Sequence, residues 1–153
     1  MVNVAMTVEQ AVRLAINEEI KAHDLYMNLS KKVAIQETRI VLLELAEQEL
    51  KHRLVLEEIL LNDNYTEIGN SIDGQSIWRL DPKNAPGKLT KNADPHDTLL
   101  YAIREEINAI NLYTQLASFL AGTDLEDIFI KLAREEEGHR SSLEKEYEKN
   151  FQL

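Results

Sequence analysis

Glu49 and His52 stand three residues apart in "LAEQELKHR", and Glu136 and His139 stand three apart in "LAREEEGHR". On an α-helix that spacing puts both side chains on the same side, so each pair can offer a carboxylate and an imidazole to one point in space. Carboxylate oxygen and imidazole nitrogen suit iron or manganese, and with no cysteine in the chain any metal must be held by oxygen and nitrogen. A single Glu-x-x-His is a weak signal. Here the two motifs share an offset, 139 − 52 = 87, and the same offset aligns "AINEEIKAHDLY" from Ala15 with "AIREEINAINLY" from Ala102. It pairs Glu19 with Glu106, Tyr26 with Tyr113, Glu49 with Glu136 and His52 with His139, so the chain reads as a duplicated helical hairpin.

A second face must supply the remaining carboxylates. Glu19 lies on the helical row of Val12, Ala15, Tyr26 and Val33, whereas Glu18 falls on the row through Lys21, nearer solvent. Glu106 lines up with Leu99, Ile103, Ala109 and Tyr113, so Glu19 and Glu106 are preferred over Glu18 and Glu105. Four carboxylates facing one core cost several kcal/mol each if uncompensated. Two divalent cations would balance them. The bland reading applies elsewhere: Glu44, Glu47, Glu57, Glu135, Glu137, Glu144, Glu146 and Glu148 are expected on solvated faces, and His23 is expected to be a hydrogen-bonded or exposed helix residue.

The elements that carry these residues are four helices. The first is expected over about 8–33, opened by a capping box of Thr7 and Gln10. The second is expected over about 37–61, with Ile40, Leu43, Ala46, Glu49, Leu56 and Ile59 or Leu60 on its inner face. From about 62 to 94 the pattern breaks among Asn, Gly and Pro. Asp94-Pro95 caps a third helix over about 95–120, Gly122 ends it, and Thr123 with Glu126 has the capping-box spacing for a fourth helix reaching about 149. Short links make each pair an antiparallel hairpin. The connection between the pairs is long enough to cross helices of about 35 Å, which predicts a four-helix bundle with one crossover, in a single domain over 1–153. Trp78 and Ile77, on the crossover, are expected against the bundle wall or at a subunit contact.

Composition narrows the function. The net charge of −10 argues against nucleic-acid or anionic-membrane partners, which need clustered Lys and Arg. No run approaches the ~18 apolar residues of a spanning helix, and "MVNVAMTVEQ" has no signal-peptide pattern, so a cytoplasmic protein is expected.

These residues resemble the ferritin-like di-iron carboxylate superfamily, in which two helices each give a Glu and the other two each give a Glu-x-x-His. The paired "EEI…LY" and "E-x-x-H-R" segments look most like its rubrerythrin and bacterioferritin branches. The resemblance implies an all-α ferritin-like bundle with two Fe ions (Mn or Zn being alternatives), no organic cofactor, and Glu19, Glu49, His52, Glu106, Glu136 and His139 as ligands. Glu49 and Glu136 would bridge, Glu19 and His52 would serve one metal, and Glu106 and His139 the other. Tyr26 and Tyr113 resemble tyrosines that hydrogen-bond a ligand carboxylate of the opposite pair; core packing is their alternative role.

The chain also departs from that pattern. It lacks the cysteines of a rubredoxin domain, so an electron donor would be a separate molecule such as rubredoxin. One turn beyond Glu106 lie Ala109 and Ile110, where rubrerythrins resemble each other in an extra Glu, so the site looks closer to the six-ligand bacterioferritin type. The expected activity is oxidation of Fe(II) by hydrogen peroxide or dioxygen, a protective peroxidase or ferroxidase role, in a homodimer or larger homo-oligomer. An iron-storage module is the alternative, and a bundle with a vestigial site is another. A hydroxylase of an organic substrate would need a substrate cavity, which no stretch advertises.

Overall fold

The computed structural model describes residues 5–62, 71–73, 89 and 93–151. Among them run β1 (Ala5–Thr7), α1 (Val8–Ser30), α2 (Gln36–Asn62), β2 (Ser71–Asp73), α3 (Pro95–Phe119) and α4 (Glu126–Phe151). The class is the expected all-α bundle, in which α1 packs along α2, α3 along α4, and the two hairpins meet through α1 with α3 and α2 with α4. One addition is an antiparallel β1–β2 pair with Met6 opposite Ile72. Most of the crossover, Trp78 and Ile77 included, lies outside the described residues.

Helix boundaries follow local chemistry. The Thr7 hydroxyl accepts from Gln10 N at 3.1 Å and the Gln10 side chain accepts from Thr7 N at 3.0 Å, which completes the capping box of α1. At the far end, Arg39 from α2 donates to Ser30 O at 3.0 Å and Val33 O at 3.3 Å, satisfying carbonyls at and just past the end of α1 and fixing the hairpin turn. Asp94 caps α3 by accepting from Asp97 N at 2.8 Å, with Pro95 at its first position. Gly122 follows at φ 83, a left-handed conformation that other residues rarely adopt. The expected Thr123–Glu126 box does not close: the Thr123 hydroxyl donates to Leu120 O at 2.7 Å and accepts from Leu125 N at 3.3 Å. Glu126 turns back to Gly122 N at 2.8 Å. The helix accordingly begins at Glu126.

The core falls into two apolar clusters, one holding Val12, Leu56, Tyr113, Leu116 and Phe129, the other Leu99, Leu143, Tyr26, Leu29 and Leu42. Each residue in the first group is the 87-offset partner of one in the second (99 − 12 = 87), so the duplicated sequence builds two cores that are images of each other. The expected inner face of α2 needs correction at its start: Ile40 and Leu43 are 49% and 41% exposed, while Thr38, Leu42 and Leu45 point inward. This helix is apolar on two sides, so its periodicity does not select a face by itself. Glu146, expected in solvent, is buried and accepts from the Thr38 hydroxyl at 2.8 Å, which ties α2 to α4.

The two described glycines in or beside the second hairpin should respond oppositely to alanine, since neither has an atom within 4 Å of an added Cβ. In urea unfolding, Gly122→Ala should cost about 1 kcal/mol through its left-handed backbone. Gly138→Ala, inside α4, should gain up to about 1 kcal/mol from helix propensity. Equal effects of the same sign would contradict the described backbone at Gly122.

Candidate metal centre

Between the two apolar clusters lies a polar layer. Glu19 from α1, Glu49 and His52 from α2, Glu106 from α3, and Glu136 and His139 from α4 are all buried, each at 3% exposure or less. They form two groups that could hold an ion: Glu19, Glu49, His52 and Glu136, and Glu49, Glu106, Glu136 and His139. Within each group one ligand atom per residue lies within 4.8 Å of the others, and Glu49 and Glu136 belong to both.

Glu136 spans the histidines, with Oε1 2.8 Å from His52 Nδ1 and Oε2 3.0 Å from His139 Nδ1. Glu49 mirrors it, with Oε1 2.5 Å from His139 Nδ1 and Oε2 3.9 Å from His52 Nδ1. Glu19 Oε2 lies 3.6 Å from His52 Nδ1, and Glu106 Oε1 lies 3.8 Å from His139 Nδ1. The imidazole rings stack at 5.4 Å between centroids, 12° from parallel. The Tyr26 hydroxyl donates to Glu106 Oε1 and the Tyr113 hydroxyl to Glu19 Oε1, each reaching the terminal carboxylate of the other hairpin. That leaves Glu19 Oε2 and Glu106 Oε2, themselves repeat partners, buried without a hydrogen bond. A buried carboxylate oxygen with no donor is costly, and two at equivalent positions facing a shared layer are what a pair of cations would satisfy. The donor set fits the metal pair.

Outer contacts hold the candidate ligands in place. His52 Nε2 meets Glu135 Oε2 at 2.7 Å, and His139 Nε2 meets Gln48 Oε1 at 2.6 Å. Each ring therefore donates its Nε2 hydrogen outward and turns Nδ1 to the shared carboxylates. The sequence did not point to either contact: Glu135, expected on a solvated face, is 41% exposed and still reaches His52. The available signal is that 135 − 48 = 87 makes Gln48 and Glu135 a repeat pair, each directly preceding a motif glutamate. His23 stays outside the layer, 3.2 Å from Asp24. Glu18, half-buried, reaches Lys21 at 3.4 Å.

The electrostatics record the crowding. Burial and then the charge of neighbouring carboxylates push Glu49 and Glu136 well above the usual carboxylate range. Burial alone would raise Glu19 too, but its contacts with Glu49 and His52 outweigh that and hold it low. Burial would lower both histidines, yet Glu19 beside His52, and Glu106, Glu136 and Glu49 beside His139, raise them instead. Burial and then the charge of Glu106 keep the Tyr26 hydroxyl protonated; burial and Glu19 do the same for Tyr113. Protons are thereby favoured on Glu49, Glu136 and the two histidines.

A cavity of about 360 Å³ lies between α1 and α3 and ends on Glu19, Glu49, Glu106 and Glu136. The histidine side faces a separate groove between α2 and α4, lined by Gln48, His52, Glu135 and His139.

The rubrerythrin family model matches residues 10–92 and 97–152. A structure of a protein from Thermotoga maritima described as ferritin-like and diiron-carboxylate superposes with a TM-score of 0.76 at 25% identity, covering 92% of this chain and 94% of that one. A hypothetical protein from Pyrococcus furiosus has the same fold, with a TM-score of 0.70 at 24% identity over 93% of this chain and 89% of that one. No curated protein matches the chain.

Two outcomes follow from this geometry. Protons raised onto Glu49, Glu136, His52 and His139 must leave when cations enter, so loading in weak buffer should release protons and affinity should fall as pH is lowered. Proton-free loading with pH-independent affinity would contradict it. Second, Glu135 is an acid where Gln48 is neutral, so the group containing His52 should bind cobalt(II) about 10–100-fold more tightly than its repeat image. Stepwise optical titration should show two affinities that converge in Glu135→Gln; equal affinities in the unsubstituted protein would contradict the asymmetry.

Proposed function

The chain belongs to the rubrerythrin family, and from that premise we propose that it is a di-iron oxidoreductase that oxidises Fe(II) with hydrogen peroxide or dioxygen. The observation that carries this reading is the pair of ligand groups sharing Glu49 and Glu136. Glu19 and His52 would hold one iron, Glu106 and His139 the other, and the shared glutamates would bridge. When bound as Fe(II), the pair supplies two electrons to an O–O bond.

The chain's own residues set the conditions for that chemistry. The Tyr26 and Tyr113 hydroxyls pin one oxygen of Glu106 and Glu19 and leave the other free to turn inward. Gln48 and Glu135 fix both imidazoles in the orientation that directs Nδ1 to the layer. Apolar clusters pack on both sides of the layer, and among the described residues the α1–α3 cavity and the α2–α4 groove reach it. Because both tyrosines keep their protons, they act as donors that position carboxylates.

A separate electron donor such as rubredoxin, and a homodimer or larger assembly, complete this reading. Self-association is supported by the outer face of α2, where Leu50 and Leu54 are 42% and 57% exposed. Their repeat partners on α4 are Glu137 and Ser141, so the second hairpin does not repeat this apolar face at those positions. No described helix is long and apolar enough to cross a membrane.

The test is single turnover. Anaerobic protein loaded with Fe(II) should consume one hydrogen peroxide per iron pair and develop a ferric absorption band. Glu136→Ala should slow this by more than about tenfold, given that even outer-contact substitutions at metal sites cost about 10–100-fold. A rate unchanged by Glu136→Ala would remove the site from the reaction, and iron accumulating well beyond the pair would favour storage.

A further inference from the structure

Hydrogen peroxide and dioxygen are each of about the size of one or two water molecules, and a water occupies about 30 Å³ of the liquid. The cavity between α1 and α3 holds about 360 Å³, which is on the scale of sites that enclose small organic ligands. Its inner end is the four site carboxylates, and its walls include Leu14, Ala22, Leu25, Ala109 and Leu112. Two of these wall pairs are repeat partners, 22 with 109 and 25 with 112, so both hairpins contribute matched apolar surface. Glu18 and Glu105 also line the cavity, with Lys21 3.4 Å from Glu18, and four carboxylates stand at its base, so acidic groups outnumber basic ones among its described lining residues and disfavour an anion. The shape and polarity fit a neutral molecule with an apolar body and one small polar end.

We propose that this cavity binds alkyl or aryl hydroperoxides of the size of cumene hydroperoxide, with the hydrocarbon part against Ala22, Leu25, Ala109 and Leu112 and the O–O end at the site. The proposal rests on the peroxide-reducing reading above and names its substrate class. The reaction balances as ROOH + 2 H⁺ + 2 e⁻ → ROH + H₂O: the O–O bond breaks, the alcohol and water leave, and an Fe(II) pair held by the site would supply the two electrons, one from each iron. Fatty-acid hydroperoxides, which carry a carboxylate, are disfavoured by the acidic lining.

Binding is measured first without turnover. Zinc-loaded protein is titrated with cumyl alcohol, the product of cumene hydroperoxide, while leucine methyl resonances are followed. Saturable shifts at Leu25 and Leu112 are expected, weakened several-fold in Leu25→Ala and lost in Ala22→Leu/Ala109→Leu. Circular dichroism and zinc stoichiometry report whether each variant folds and loads, and Leu25→Ala keeps the test alive should the double variant not fold. Rates of Fe(II) oxidation by cumene hydroperoxide and by hydrogen peroxide are then compared. Filling the cavity should lower their ratio by about tenfold or more, the scale of discrimination for misfit in an apolar pocket. Absence of saturable alcohol binding, or a ferrous site that reduces hydrogen peroxide but leaves cumene hydroperoxide intact, overturns the inference and leaves the peroxide reading standing. A ferrous site that reduces neither overturns both.

Discussion

Four glutamates buried in one layer are the constraint on which the rest of this structure depends. Carboxylates so close together cannot all remain charged without compensation, because desolvation and mutual repulsion both oppose it. The chain has two ways to settle the layer. Protons on Glu49, Glu136 and the two histidines do so without metal, and a pair of cations does so when the protons leave. Everything around the layer prepares for the second state: tyrosines grip one oxygen of each terminal carboxylate, and outer partners turn both imidazoles inward.

Duplication meets this constraint economically. A hairpin brings one Glu on its first helix and one Glu-His pair on its second, and two such hairpins supply the whole donor set around a local two-fold relation. The same relation generates an apolar cluster on either side of the polar layer. The halves differ beside the histidines, where Gln48 stands against Glu135, and on the outer faces, where Leu50 and Leu54 stand against Glu137 and Ser141.

Much of this was legible in the sequence because it repeats. The common offset exposed the hairpins, and helical rows separated Glu19 from Glu18. The Thr7 and Asp94 caps are local chemistry and needed no tertiary information. What escaped depends on neighbours distant in the chain. Glu135, 41% exposed, shows no tie to the site until His52, 83 positions away, is placed beside it, and buried Glu146 takes a hydrogen bond from Thr38, 108 positions away. The face of α2 was ambiguous because the helix is apolar on two sides. Three-residue strands carry too little periodicity to recognise, and the cavity has walls from different halves of the chain.

The central claim, that two cations complete the buried layer and share Glu49 and Glu136, is tested most directly by anomalous X-ray diffraction at the iron edge from crystals of anaerobically loaded protein. The account predicts two iron peaks per chain, one contacted by Glu19 and His52, the other by Glu106 and His139, with both shared glutamates between them. A fully loaded crystal with no iron in this layer, or with iron bound only at surface carboxylates, would contradict it.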